Sequence, residues 1–253
     1  MPLKTKLEIL SDDKLARVHD ASLKILSETG VLFKCPEALE IFKKHGARVD
    51  GEVAFLPRKM VEKAIEEAPA TFRFQGRNEA HSVIIGEGFA VQPNGGVVDI
   101  QDMGKGRRPA LLADFTNIQK LCQASNIVSL VGSFPVEPRD VEPQEKHLKV
   151  THAIIKHTDK PIISYCSYTP EVRQMIDMVE IATGKKKFLE DHYAVAVSVN
   201  PLSPLKYSTD ASETMIEFAK RKQPVFILSC RYQQIFFQPP IHEHPERGII
   251  IHL

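Results

Sequence analysis

The chain of 253 residues has no tryptophan, only four cysteines and no excess of charge of either sign. Lys and Arg number 33 against 32 Asp and Glu, so no basic surplus exists to hold a polyanion, and we predict no nucleic-acid partner. Cys35, Cys122, Cys166 and Cys230 show no CxxC spacing. That pattern indicates reduced thiols and argues against a disulfide framework or a zinc knuckle.

Long apolar runs and nucleotide-binding loops are also missing. No stretch of about 18 apolar residues occurs, and the start MPLKTKLEIL has no apolar signal core. We therefore expect no membrane association and a cytoplasmic location. Neither GxGxxG nor a GxxxxGKS/T loop follows any predicted strand, so neither common nucleotide site is supported. Apolar residues make up 43% and charged residues 26%, which is typical of a globular chain.

The first part of the chain, residues 1–109, is predicted to be an α+β segment of helices and β-hairpins. Capping residues, proline starts and glycine or proline stops indicate three helices, at residues 11–30, 36–46 and 57–69. Short apolar stretches then indicate four strands, at residues 71–74, 82–85, 89–92 and 97–100. Between the last two lies Asn94-Gly95-Gly96, a strong signal for a tight hairpin turn.

From residue 110 to residue 229 the pattern alternates between helices and buried strands. The predicted strands begin roughly every 32–34 residues, at 127–131, 161–165, 193–199 and 225–228. This regular βα period favours a barrel over a doubly wound sheet. A complete eight-stranded barrel needs roughly 250 residues. The predicted fold class is therefore α/β, an incomplete (half) TIM-type (β/α) barrel preceded by an N-terminal α+β segment, with unpaired edges and an uncovered inner face.

Residues 230–253 read differently from what should follow a barrel strand. This stretch has no helical periodicity, contains prolines and carries apolar clumps without alternation. We expect it to be an aberrant tail, either read in the wrong frame or left by a premature end.

Several segments taken together resemble the trimethylamine methyltransferase family over about residues 7–229. They are SDDKLARVHDASLKILSETGV, CPEALEIFKKHGARVDGEVAFLPRKMVEKAIEEAP, FRFQGRN, QPNGGVVDI, GRRPALLADF, HTDKPI, SYTPEVRQM and VNPLSPLKY. The resemblance implies a (β/α)-barrel enzyme that moves a methyl group from trimethylamine or a betaine-type quaternary amine to Co(I). That cobalt belongs to a corrinoid carried by a separate partner protein, so no cofactor is expected to bind this chain directly.

The family's members are about twice as long as this chain. The resemblance therefore implies an N-terminal half with little turnover by itself. Some members carry pyrrolysine, but its position would fall in the later strands, so this sequence does not decide whether one is encoded.

Candidate site residues follow from the barrel rule that functional groups lie at the C-terminal ends of strands. A quaternary ammonium has no N–H to donate and is held by aromatic faces and carboxylates. Polar and aromatic residues after the predicted strands are Phe134, Glu137, Tyr165, Ser167, Tyr168, Asn200 and Ser203. Asn94, Gly95 and Gly96 join them because they match a family segment and their backbone can approach a ligand closely.

Each candidate also has a structural interpretation. Tyr165 and Tyr168 could pack against helix starts, and Glu137 lies in a Pro-rich loop where a solvated charge is usual. Asn200 before a proline and the Asn94 turn could both be turn chemistry.

Two other functions stay open. The chain could be a non-catalytic fragment whose exposed inner barrel face pairs with a partner chain or with a second copy as a homo-oligomer. His242-x-His244 is the kind of ligand pair found in metal-dependent barrel hydrolases, although its place in the tail favours solvated histidines and no metal.

Overall fold

The computed structural model describes residues 9–93, 95–164, 169–185 and 187–227, and these form an α/β structure. The helices are α1 (Asp12–Lys24), α2 (Pro36–Lys44), α3 (Arg58–Glu67), α4 (Leu112–Ala124), α5 (Pro143–His157), α6 (Thr169–Thr183), α7 (Phe188–Asp191) and α8 (Thr209–Lys220). The strands are β1 (Val31–Phe33), β2 (Arg48–Asp50), β3 (Val53–Phe55), β4 (Phe72–Phe74), β5 (Val83–Ile85), β6 (Asp99–Asp102), β7 (Gly106–Pro109), β8 (Val131–Gly132), β9 (Ile162–Ile163), β10 (Val195–Val199), β11 (Lys206–Tyr207) and β12 (Val225–Ile227). Within these described ranges no helix is both long and apolar enough to cross a lipid bilayer.

A parallel sheet of four strands organises the second half of the chain. Its order is β12-β10-β9-β8, and every neighbouring pair is parallel. Along the chain, each new strand of this sheet is therefore added next to the previous one and always on the same side. A singly wound barrel has this order, whereas in a doubly wound sheet the side on which strands are added changes once. The predicted helices at residues 143–157 and 113–124 are confirmed as α5 and α4, the latter with one more residue.

The outer face of this sheet is covered by the connecting helices. Val131, Ile162 and Val195 point to this side and are almost completely buried. They pack in one cluster with Val150 of α5 and Ile176 of α6. Apolar strands covered by helices explain why the strand residues are hydrophobic in unbroken runs.

The inner face of the sheet is covered at the N-terminal ends of its strands, which corrects the expectation of an uncovered inner face for that part of the sheet. Leu130, Ile163 and Ala196 point inward and are at most 4% exposed. Phe72 and Phe74 of β4, on the antiparallel β4–β5 hairpin, pack directly against them. The hairpin from the N-terminal segment thus closes the inner side within one chain.

The hairpin is attached at the N-terminal end of the parallel strands. Phe74 forms a parallel bridge with Tyr193, two residues before β10, and the Gln75 amide donates to the Tyr193 carbonyl at 2.6 Å. The ring of Phe72 meets the ring of Tyr193 edge-on, with centroids 5.3 Å apart. The hairpin therefore fills the bottom of the sheet and leaves the C-terminal end accessible.

A second sheet, which the sequence did not predict, joins the N-terminal segment to the loop after β10. Its order is β11-β1-β3-β2, and β11 pairs in parallel with β1. The Tyr207 ring stacks on Phe33 at 5.3 Å with the planes 6° apart, and burial raises the pKa of the Tyr207 phenol. Strands of two or three residues are too short to produce an alternation that can be read from the sequence.

The outer edge of β8 is covered by residues of the same chain, which corrects the expectation of an unpaired edge on this side. Val91 forms a parallel bridge with Val128, and its carbonyl accepts from the Leu130 amide at 3.0 Å. The side-chain amide of Gln119, fully buried on α4, accepts from the Gly132 N–H at 3.0 Å and donates to the Gly132 carbonyl at 3.2 Å. The side-chain amide of Gln119 therefore makes the two hydrogen bonds to Gly132 that a peptide group of a neighbouring strand would otherwise make.

The predicted hairpin turn at Asn94-Gly95-Gly96 was also wrong, because β6 pairs with β7 and not with residues 89–92. Those residues form the single bridge at Val91, and the chain then runs beside the loop after β8. The Gly96 amide donates to the Phe134 carbonyl at 3.0 Å. The glycines allow this segment to lie against the loop after β8: Gly96 has φ +88°, and a Cβ on Gly95 would lie 3.2 Å from the Ser133 side-chain hydroxyl.

At the bottom of the sheet a buried lysine holds the end of α4. The Lys160 ammonium, 5% exposed, donates to the carbonyls of Cys122, Ser125 and Val128 at 2.8, 2.6 and 2.6 Å. Cys122 belongs to the last turn of α4, where carbonyls lack helical partners. Burial lowers the pKa of Lys160. Lys160 is the lysine of the HTDKPI segment. This segment therefore has a structural role at the bottom of the sheet.

A buried carboxylate ties three helices together on the outer side. Glu217 of α8 is 5% exposed and pairs with Arg173 of α6 at 2.8 Å and Arg221 at 2.7 Å. Lys220 lies 3.5 Å from the same carboxylate and also pairs with Glu37 of α2 at 3.0 Å. The Arg173 hydrogen bond above all lowers the pKa of Glu217 from 4.5 to about 2.

Glu217→Gln should therefore destabilise the protein at neutral pH. A carboxyl whose pKa falls from 4.5 to about 2 on folding stabilises the folded state by about 3 kcal/mol above pH 4.5. This contribution disappears as the pH falls through 2. Urea unfolding should show the variant about 3 kcal/mol less stable at pH 7, with the difference shrinking below pH 4.5.

Glu190→Gln is the matched control, because Glu190 pairs with Lys187 at 3.2 Å while its side chain is 60% exposed. Exposed pairs of this kind contribute about 0–1 kcal/mol. A difference between wild type and Glu217→Gln that stays constant from pH 7 to pH 3 would contradict the assignment.

Gly132→Ala tests the close approach between β8 and β9. Gly132 has φ +88°, and a Cβ there would lie 2.2 Å from the Ile163 carbonyl oxygen, which is backbone and cannot move aside. We expect a loss of about 3 kcal/mol or more. Gly51→Ala is the control, with φ +56° and nothing within 4 Å, and should lose about 1 kcal/mol. Equal losses at the two positions in urea unfolding would refute the close approach.

Candidate functional site

The C-terminal ends of the parallel strands meet at one end of the sheet, which we call the mouth. The described residues there come from the backbone segment at Gly95–Gly96, the loop after β8 with Phe134 and Glu137, and the loop after β10 with Asn200. Parallel strands present their carboxyl ends at a common edge, so residues far apart in sequence come together. The structure thus brings the predicted candidates from three segments to the same end of the fold.

Phe134 is held at the mouth by the backbone on both of its sides. The Ser133 amide, in a left-handed conformation with φ 53°, donates to the Ile163 carbonyl at 2.8 Å. On the other side, the Phe134 carbonyl accepts from Gly96. The Phe134 side chain is 39% exposed, and its ring lies 3.9 Å from the place that a Cβ on Gly96 would take. The backbone contacts on both sides therefore fix the position of Phe134 in the loop after β8.

Glu137 has a cation close by. Its carboxylate accepts from the Lys146 ammonium of α5 at 2.5 Å, and its backbone amide donates to the Val97 carbonyl at 2.8 Å. The two side chains are 28% and 17% exposed, so the pair is half-buried. This arrangement ties the loop after β8 to α5 and to residue 97.

Asn200 and Ser203 lie on the exposed loop that follows β10. The loop forms a tight turn in which the Leu202 amide donates to the Lys206 carbonyl at 2.7 Å and the Lys206 amide donates back at 3.0 Å. The turn is then anchored where β11 pairs with β1. The N-terminal sheet therefore sets the place of this loop at the mouth.

Ser198 is a candidate that the sequence reasoning missed. Residues of β10 alternate between the two faces, and Ser198 is on the same inward side as buried Ala196. It is half-buried and lies in register with Phe226 of β12. The sequence contains a signal that could have identified Ser198. It is the one polar residue of the strand VAVSV, it lies near the C-terminal end, and the alternation of the strand places it on the inward side.

Asn94, Tyr165, Ser167 and Tyr168 lie outside the described residues, as do Cys166 and the tail with His242 and His244. Across the parts of the chain that the structure describes, no three His, Cys, Asp or Glu side chains gather as a metal site would require. The described residues of the mouth carry aromatic and hydroxyl groups and backbone amides, a set suited to binding and orienting a small organic ligand.

Comparison with known proteins gives a consistent result. The model of the family described as Trimethylamine methyltransferase (MTTB) matches residues 3–244. That match continues past residue 229, so it includes part of the segment from 230 to 253 that the sequence analysis set apart.

Two curated relatives and one solved structure illustrate the likeness. The glycine betaine methyltransferase of Desulfitobacterium hafniense strain Y51 is 30% identical over 225 residues, which cover 88% of this chain and 47% of that protein. The proline betaine:corrinoid methyltransferase of Eubacterium limosum is 29% identical over 222 residues, covering 84% and 45%. The monomethylamine methyltransferase of Methanosarcina barkeri superposes with a TM-score of 0.53 at 12% identity, covering 86% of this chain and 45% of that one.

The chain therefore spans about half the length of the curated relatives that it matches. The structural likeness, at 12% identity, shows a shared fold, that of a TIM-barrel family. The match to the family's model covers nearly all of the sequence. The chain belongs to the trimethylamine methyltransferase family.

Proposed function

We propose that the protein is a corrinoid-dependent methyltransferase that takes a methyl group from trimethylamine or a betaine-type quaternary amine. The acceptor is Co(I) of a corrinoid carried by a separate protein. Support comes from the family match over residues 3–244 and from relatives named for glycine betaine and for proline betaine with a corrinoid. The observation that carries the proposal is the mouth, where the partly exposed aromatic residue Phe134 follows the C-terminal end of a parallel strand and its backbone is held by Gly96.

In the proposed reaction, Co(I) supplies the electron pair that attacks the methyl carbon. The C–N bond breaks, the amine leaves with the electron pair of that bond, and the cobalt becomes methyl-Co(III). No proton has to move when a quaternary amine is the donor, because the leaving amine is neutral at nitrogen. Trimethylamine reacts in the same way as its trimethylammonium ion, whose N–H proton stays on the dimethylamine that leaves. The protein's contribution is therefore to bind the donor, align its C–N bond with the cobalt and exclude water.

The residues of this chain have separate parts in that task. Phe134 offers its ring to the cationic nitrogen, and its backbone is fixed by Gly96 and Ser133. Ser198 and Asn200 place polar groups along the inner side and the end of β10 for the remaining part of the donor. Glu137, already paired with Lys146, holds the loop that carries Phe134.

The barrel itself is part of the proposal. Because Val91 forms a parallel bridge with Val128, we propose that the segment at Val91 is the first strand of the barrel, with α4 as its crossover to β8. Together with β8, β9, β10 and β12 this segment would give five barrel strands, one more than the four barrel strands predicted from the sequence. We propose that residues 110–229, together with this first strand, supply the first half of the barrel, and that the chain alone turns over slowly. The expectation that residues 230–253 form an aberrant tail outside the family stays a prediction, although the family match itself reaches residue 244.

A methylation assay tests the activity. The chain is incubated with cob(I)alamin and trimethylamine, glycine betaine or proline betaine, and methylcob(III)alamin is followed by its absorbance. We expect formation above the enzyme-free rate with at least one amine, at a lower rate than that of the D. hafniense glycine betaine methyltransferase measured in parallel. No formation with any of the three amines would contradict the proposed activity, and a rate equal to the relative's would contradict the half-barrel.

Phe134→Leu tests the binding of the donor in the same assay. Loss of the aromatic face should raise KM for the amine about threefold to tenfold while kcat changes less. Phe89→Leu is the matched control, since Phe89 is 77% exposed and lies at the opposite end of the strand segment at Val91. Equal KM values for the two variants would exclude Phe134 from the donor site.

A further inference from the structure

The β6–β7 hairpin rises from the rim of the mouth. It is inserted between the segment beside β8 and the start of α4, and both of its ends lie at the mouth. Its base is closed by the Ala110 amide, which donates to the Val98 carbonyl at 3.4 Å. The Ala110 carbonyl accepts from the Arg139 amide, in the loop after β8, at 2.8 Å. The hairpin is thus joined to the same loop that carries Phe134.

The hairpin is held in a fixed position by paired charges. Arg108 of β7 makes two hydrogen bonds to the Asp114 carboxylate on α4, at 2.6 and 2.7 Å, and this contact lowers the pKa of Asp114. At the tip, Asp102 accepts from the backbone amides of Gly104 and Lys105 at 2.8 and 3.0 Å. An isolated two-stranded hairpin is only marginally stable in water, so these contacts are needed to stabilise it.

The tip presents an apolar side chain to solvent. Met103 is 105% exposed, so nothing in the described structure covers it, and strands of four residues place it about 13 Å from the base. Further large apolar side chains surround the mouth, each 39–47% exposed, and we call them the rim. The rim consists of Val97, Val98, Leu111, Phe134, Leu202 and Leu205.

An apolar rim with a projecting methionine is typical of a surface that another protein covers. Methionine is flexible and polarisable and adapts to a partner surface. The occupant follows from the reaction, because the cobalt has to come into bonding contact with a methyl group at the mouth. A protein that carries the cobalt must therefore approach the mouth, and a hairpin that stands on its rim is in its path.

We propose that the β6–β7 hairpin and the rim are the docking surface for the corrinoid protein, with Met103 as the contact at the tip. This inference rests on the proposed function. On the strands of the hairpin, Arg108 is paired with Asp114 and Arg107 with Asp99, so the contact that we assign to the tip is the apolar one of Met103.

Met103→Asp tests the docking surface, and Ile84→Asp is the matched control. Ile84 is 40% exposed on the β4–β5 hairpin at the bottom of the sheet, far from the mouth. The probe is the corrinoid protein that accepts methyl groups from the E. limosum proline betaine:corrinoid methyltransferase. Titration calorimetry should show its Kd raised about tenfold by Met103→Asp and unchanged by Ile84→Asp. Met103→Ser and thermal melts of each variant guard against misfolding.

The outcomes separate this inference from the proposed function. If wild type and all three variants bind the corrinoid protein equally, the hairpin assignment is overturned while the methyltransferase proposal stands. If wild type does not bind it, the docking surface and the partner both fall, and methylation of free cob(I)alamin still decides the activity. If sedimentation shows that Met103→Asp instead abolishes a dimer of this chain, the occupant is a second copy and the inference is refuted.

Discussion

A parallel sheet has two apolar faces, and the helices that connect its strands cover only one of them. In this chain the remaining face is covered by Phe72 and Phe74 of the β4–β5 hairpin, which bury Leu130, Ile163 and Ala196. The rest of the architecture depends on this contact. Because the hairpin enters from the bottom, next to Tyr193, it packs the inner side and leaves the C-terminal end of the strands for the site.

The edge strand β8 has a similar requirement, because its backbone N–H and C=O groups need hydrogen-bond partners. A strand with free N–H and C=O groups invites pairing with another chain. Here the buried amide of Gln119 bonds both polar groups of Gly132, while Val91 and Gly96 bond the residues on either side. These bonds also fix Ser133 and Phe134, so one set of contacts both closes the edge and orders the mouth. On this side of the sheet, residues of the same chain therefore satisfy the edge of β8.

The predictive power of the sequence differed between local and long-range features. The helix at residues 143–157 was predicted to the residue because Pro143 marks its first turn and its apolar positions recur at helical spacing. The order and direction of the parallel strands followed from the regular βα period. The strands of the N-terminal sheet were missed because two or three residues carry no readable period. The Asn94-Gly95-Gly96 turn was misread because a hairpin turn and a close backbone approach need the same residue types.

For the candidate site, the sequence by itself determined which residues follow the strands, and it determined the family through its ordered segments. It placed Phe134, Glu137 and Asn200 near the mouth because the ends of parallel strands share one edge. Only the tertiary structure decided that Glu137 is paired with Lys146, that Ser198 faces inward and that the hairpin carrying Met103 stands on the rim. These outcomes depend on contacts between residues distant along the chain. Such contacts are set by packing and edge pairing, and the local pattern of a sequence does not contain them.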